Sequence, residues 1–182
     1  MVIDYCDIIT LTSVRILYTV ILLSMKIGIL SDTHLTNITK DFEETIKRVF
    51  DDVDMIIHAG DITGISVLNY LSNWDLKAVR GNMDDFDLYN LLPEKRIENI
   101  MGKNVGIIHG KGPPNGIENV VLREFQNVDL IIFGHSHTPV ETKKGGVLLF
   151  NPGSYRRSSS YRGTVGIAEI TDNITLRHIE VE

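Results

Sequence analysis

Five places in the chain set metal-capable side chains directly after a short apolar run: Asp32 with His34, Asp61, Asn82, His109, and His135 with His137. Pooled, they offer four imidazoles, two carboxylates and one amide oxygen. A catalytic zinc takes three protein ligands and keeps a position open, so this set is too large for one such ion and suits two metals that share a ligand. Asp61 is the expected bridge, because a carboxylate has two oxygens with lone pairs to spare and Asp61 stands alone at its strand end. The donor mixture suits Mn, Ni, Fe, Co or Zn and disfavours Ca, which prefers oxygen throughout. Taken one at a time, these residues have ordinary explanations. An Asp before a helix is commonly a cap, Asn82 and Asp84 fit turns, and a strand-end His commonly packs in a core. Caps and turns do not explain why they occur together, each beside an apolar run. Gly60, Gly81 and Gly134 are expected to let the backbone turn sharply next to them.

The elements that must position these residues alternate in type from Met25 onward. Apolar strands are expected over 26–31, 55–59, 76–79 and 130–133, each running into one of the polar groups. Between them, helices are expected over 40–50, with Phe42, Ile46, Val49 and Phe50 on one face, over 65–71 and over 117–125. Paired strands are expected over 96–100 and 104–109 across a Gly102 turn. Strands over 140–143, 147–151, 164–170 and 174–181 follow, with turns at Gly145-Gly146 and at 171–173. Alternating βα units followed by hairpins predict an α/β fold with mixed sheets, two of them packed together with helices outside. In open α/β sheets ligands bind at the carboxyl ends of the strands, where the polar groups stand here.

Composition narrows the function further. The 182 residues fit one ordinary domain, predicted over 25–182, and 23% charged against 43% hydrophobic residues excludes a disordered chain. Cys6 is the only cysteine, which excludes an intrachain disulfide framework or a thiolate zinc cluster. A formal charge of −6 and the lack of a basic stretch interleaved with aromatics argue against an extended nucleic-acid surface. Residues 1–24 read as an apolar extension. Asp4 and Asp7 stand where a signal peptide would be positive, and Arg15 interrupts a run already short for a membrane span. The expected location is therefore cytoplasmic, with no membrane partner. Rich in β-branched residues, 8–23 is expected to pack on protein, within its own domain or in a homo-oligomer such as a symmetric dimer. Residues 158–160 read as a mobile loop tip.

Asp32-Thr33-His34, Gly60-Asp61, Gly81-Asn82-Met83-Asp84, Ile108-His109-Gly110 and Gly134-His135-Ser136-His137 stand in the order found in the calcineurin-like metallophosphoesterase superfamily. The chain resembles its small archaeal and bacterial phosphodiesterase branch, as does Asn151-Pro152-Gly153-Ser154, and the resemblance spans 25–182. It implies a four-layer sandwich of two mixed β-sheets flanked by helices. It also implies that Asp32, His34, Asp61 and His137 hold one divalent ion, and that Asp61, Asn82, His109 and His135 hold the other. The implied reaction is hydrolysis of a small phosphodiester by attack of a metal-bridging hydroxide, with Asp61, Asn82 and His109 at the reacting centre. No covalent nucleophile is expected, since no serine has a Ser-His-Asp context. His58 and Asp84 read as supporting residues around the ligands, Arg156 as a possible phosphate contact, and His178 as a surface residue.

One position departs from the family pattern. Most members carry histidine after the Asn of Gly-Asn-x-Asp, where it contacts phosphate or protonates the leaving group; here the residue is Met83. A thioether donates no proton. General acid assistance is typically worth 10²–10⁴-fold, so weak or absent monoesterase activity is expected beside diesterase activity. The alternative is a catalytically weak metal-binding scaffold for protein interactions, like the retromer subunit of the same fold. Retention of all seven donors argues against it, and Met83 argues for it.

Overall fold

The structure is a computed structural model and describes residues 24–156 and 162–181. Strands β1 (Met25–Leu30), β2 (Met55–His58) and β3 (Asp75–Ala78) run parallel, linked by helices α1 (Lys40–Phe50) and α2 (Ile65–Leu71). After α3 (Phe86–Leu91), the hairpin β4 (Lys95–Ile100) and β5 (Lys103–Ile108) opens a second sheet. This sheet continues through α4 (Ile117–Arg123) into β6 (Leu130–Phe133), then β7 (Val140–Lys144) and β8 (Val147–Asn151). The chain returns to the first sheet with β9 (Gly163–Ile170) and β10 (Ile174–Val181). The sheet orders are β10-β9-β1-β2-β3 and β4-β5-β6-β8-β7. Both are mixed, as expected: β5, β6 and β8 are parallel, β4 and β7 flank them antiparallel, and β9 pairs antiparallel with β1.

The period of two along each strand sorts the apolar side chains into layers. Ile27, Ile29, Met55 and Ile57 of one sheet meet Val105, Ile107, Leu130, Ile132 and Phe150 of the other in a shared core. The intervening residues Leu30 and Ile56 pack against Phe42, Ile46 and Phe50 of α1 and Val67 and Leu71 of α2. On the far side, Ile108, Ile131, Phe133 and Leu149 cover Ile117 and Val121 of α4. This is the expected sandwich, with an apolar layer between the sheets and one outside each.

Helix α1 has the predicted limits for legible reasons. The Thr39 side chain caps it by accepting from the Phe42 N–H, and acidic residues in the first turn with basic ones in the last complement the helix dipole. Helix α3 was not anticipated. Its six residues are too few to show a helical period, and its signal is Asp85, whose side chain accepts from the Leu88 N–H. His178 is not a surface residue either. It is half-buried, stacks on Phe150 at 4.5 Å, and its Nε2 lies 2.8 Å from the Asn151 carbonyl. The expectations for 8–23 and for 158–160 fall outside the described residues.

Candidate metal centre

The carboxyl ends of β1, β2 and β3 face those of β5 and β6 across the interlayer, and backbone hydrogen bonds lace the loops together. Asp32 N–H donates to Gly60 C=O, His34 N–H to Asp61 C=O, Gly134 N–H to His109 C=O and Tyr155 N–H to Ser31 C=O. Parallel strands held in register place their ends at one level, so side chains distant in sequence converge.

Asp32 Oδ1 lies 3.2 Å from His137 Nε2, 3.8 Å from His34 Nε2 and 3.9 Å from His109 Nε2. Asp61 Oδ2 lies 3.3 Å from His109 Nε2 and 3.8 Å from His34 Nε2, one histidine from each implied ligand set. His34 and His137 point their Nε2 atoms at each other, 3.3 Å apart. Asn82 Oδ1 lies 2.9 Å from His135 Nδ1, and the His135 ring meets His109 edge-on at 5.2 Å. The structure therefore brings all seven predicted donors to one end of the sandwich. Asp32 with His34 and His137, and Asp32 with Asp61 and His109, form two groups tight enough to hold an ion.

The donor set fits cations on two counts. Among the described residues, Asp32 Oδ1 and His109 Nε2 are buried and have no hydrogen-bond partner, a costly arrangement unless something positive satisfies them. His135 raises the same demand. Its Nε2 lies 2.8 Å from the Gly112 carbonyl and its Nδ1 faces the Asn82 oxygen, yet a neutral ring has one N–H for two acceptors. A cation held by Nδ1 and Asn82 Oδ1 together would satisfy both.

Backbone strain accompanies the cluster. Asp32, His34, Asp61, His135 and His137 all adopt positive φ, between 48° and 70°. L-residues avoid this region at roughly 1–2 kcal/mol each, though Asp and His tolerate it better than most. The sharp turns are thus made by the polar residues themselves. Of the three neighbouring glycines only Gly60 has positive φ, so the expected turn role fails for Gly81 and Gly134. Those two provide room: a Cβ on Gly81 would collide with Asp61 Oδ1, and one on Gly134 with Ser31 Oγ while standing 2.8 Å from Asp32 Oδ2.

Hydrogen bonds around the cluster aim it. His109 Nδ1 lies 2.8 Å from the Ala59 carbonyl, which fixes the proton there and turns the Nε2 lone pair inward. Ser31 Oγ and the His135 N–H donate to Asp32 Oδ2, and the Met83 N–H donates to Asp61 Oδ1 at 2.7 Å. Asp84 accepts from the Thr63 and Gly81 N–H groups and so ties two site loops together. His58 is fully buried. Its Nδ1 accepts from Gly60 N–H, so Nε2 carries the proton and donates to Thr33 Oγ1. Asn151 donates to Gly134 C=O and Ser136 Oγ, and Ser154 donates to Asp32 C=O, which explains the Asn151–Ser154 motif as a clamp on the site loops. Arg156 is exposed, and its described bonds are made through its backbone. Met83 exposes 59% of its surface. Sequence reading passed over Ser31 and Thr33, whose types signal only turns and caps.

Protonation follows these contacts. Burial would raise the Asp61 carboxyl, but His109 and the Met83 N–H outweigh it and hold it below the usual range. Burial pushes His34 down despite Asp61 and Asp32. Burial also works against the charged form of His109, yet Asp61 and Asp32 lift it above its ordinary value, and the Asp32 carboxylate 3.2 Å away lifts His137. Burial drives His58 down to about 3.

Residues 25–173 match the calcineurin-like phosphoesterase superfamily domain. A probable metallophosphoesterase of Methanocaldococcus jannaschii is 38% identical over 135 residues, covering 72% of this chain and 68% of that protein. The solved structure of an archaeal phosphodiesterase superposes with a TM-score of 0.70 at 26% identity, over 86% of this chain and 99% of the other. Vacuolar protein sorting 29 of Cryptosporidium parvum shares the fold, with a TM-score of 0.66 at 16% identity over 87% and 98% of the two chains.

Proposed function

From the chain's membership of the calcineurin-like phosphoesterase superfamily, we propose that it is a phosphodiesterase working with two divalent transition-metal ions. The observation that carries this reading is the buried, unpartnered pair Asp32 Oδ1 and His109 Nε2, set among the remaining donors. Asp32, His34, Asp61 and His137 would hold one ion and Asp61, Asn82, His109 and His135 the other, with Asp61 shared. When bound, such ions polarise a phosphoryl group and supply an activated water as nucleophile.

The chain's own contribution is orientation and charge. The Ala59 carbonyl turns His109 Nε2 inward, and the Met83 N–H fixes Asp61 through one oxygen while leaving the other facing the histidines. No proton donor projects from position 83, so an alkoxide leaving group receives no help there. Aryl diesters, whose leaving groups are stable anions, are therefore the favoured substrates and alkyl monoesters the poor ones. A scaffold with little catalysis is the second reading, favoured by Met83. Crystals soaked in Mn and measured by anomalous scattering test the centre, with two ions sharing Asp61 expected; a single ion, or two not sharing Asp61, overturns it. Turnover of bis(p-nitrophenyl) phosphate with added Mn or Ni separates enzyme from scaffold.

A further inference from the structure

A cavity of about 190 Å³ opens beside the centre, lined by Asn82 and His109 of the donor set together with Arg80, Tyr89, Glu94 and Lys111. We propose that it is a subsite for one ester substituent of the diester and that this substituent is a single uncharged planar ring; the proposal rests on the phosphodiesterase reading above.

Size supports a ring. A cavity of roughly 150 Å³ already accepts benzene, so about 190 Å³ has room for one ring. Wall chemistry supports a flat occupant. Gly81 and Gly110 present bare backbone, and Tyr89 presents a half-exposed ring. That ring is held in place: the Arg80 guanidinium lies over it at 4.3 Å and is itself pinned by hydrogen bonds to the Leu92 and Tyr89 carbonyls. A preorganised aromatic loses little freedom when a ligand packs on it. Charge supports a neutral occupant. Arg80, the cation packed on the Tyr89 ring, pairs with Glu94 at 3.6 Å and donates to two carbonyls, so it offers little to a second phosphate; Lys111 is exposed and shares Glu124 with Lys95. The position fits too, since a group filling the cavity lies against Asn82 and His109, where the phosphorus would be held.

The test compares phenylphosphonate with methylphosphonate, which differ only in the ring, by titration calorimetry on the Mn-loaded full chain. Wild type is expected to bind phenylphosphonate at least tenfold more tightly. In Tyr89→Ala the advantage should fall below threefold, with methylphosphonate affinity changed less than twofold. Tyr89 is half exposed, so the substitution leaves the core intact. Equal binding of the two phosphonates, or an advantage that survives Tyr89→Ala, overturns the subsite while leaving the metal centre standing. Failure of both phosphonates to bind overturns the reading of the centre and the subsite with it.

Discussion

Met83 holds Asp61 through its backbone: the Met83 N–H donates to Asp61 Oδ1 at 2.7 Å while the side chain stands exposed. The position therefore separates two jobs, orientation of a ligand by the main chain and whatever the side chain adds. Met83→His should keep the first and restore the second. Metal stoichiometry is expected to stay the same, and alkyl monoester turnover to rise about 10²-fold relative to aryl diester turnover. An unchanged ratio would show that leaving-group assistance is not what this position controls.

Asp61→Asn tests the shared ligand. The amide oxygen can still accept from the Met83 N–H, so the fold should survive; the charge that His109 favours is lost, so the metal-free melting temperature should fall modestly. Diester turnover should vanish, and the gain in melting temperature on adding Mn should shrink. A variant that keeps both the gain and the turnover would remove Asp61 from the centre.

The glycines separate space from conformation. Gly134→Ala forces a methyl group onto Ser31 Oγ and Asp32 Oδ2, and Gly81→Ala onto Asp61 Oδ1. Each should cost roughly 1–3 kcal/mol by overpacking and should weaken metal binding. Gly102→Ala meets nothing within 4 Å but has φ +79°, so it should cost about 1–2 kcal/mol and leave metal binding untouched. Urea denaturation and Mn titration of the three variants check this.

His58 links stability to pH. Its folded value of about 3 lies below the ordinary 6.5, so the unfolded chain takes up a proton that the native state refuses. The stability it contributes is complete above pH 6.5 and is lost as pH falls from 6.5 towards 3. Between pH 7 and 5 that loss is about 2 kcal/mol. His58→Gln should lower stability at pH 7, since it disturbs the bonds to Thr33 and Gly60. It should also flatten the fall between pH 7 and 5 by about that amount. Chemical denaturation of both proteins at the two pH values decides it; parallel slopes would mean that His58 is not held neutral.

The α/β class, the strand order along the chain and the five polar strand ends could be read from sequence because they are local. A run such as Leu130–Phe133 followed by Gly134 and His135 carries its meaning within a few residues, and helix α1 announces itself through Thr39 and its apolar spacing. What lay beyond reach depends on partners distant in the chain. Gly134 is glycine because Ser31 and Asp32 pass beneath it, a contact spanning a hundred residues, and no local pattern encodes that. The left-handed backbone at Asp32, His34, Asp61, His135 and His137 is likewise held by bonds between loops from both sheets. Tyr89 reaches the cavity on a helix too short to show a period, steered by Arg80 and one cap at Asp85. Sequence determined which donors exist and where each strand ends. Tertiary packing decided which atoms of those donors face one another, because only the register of two stacked sheets brings ends so far apart in the chain within bonding distance.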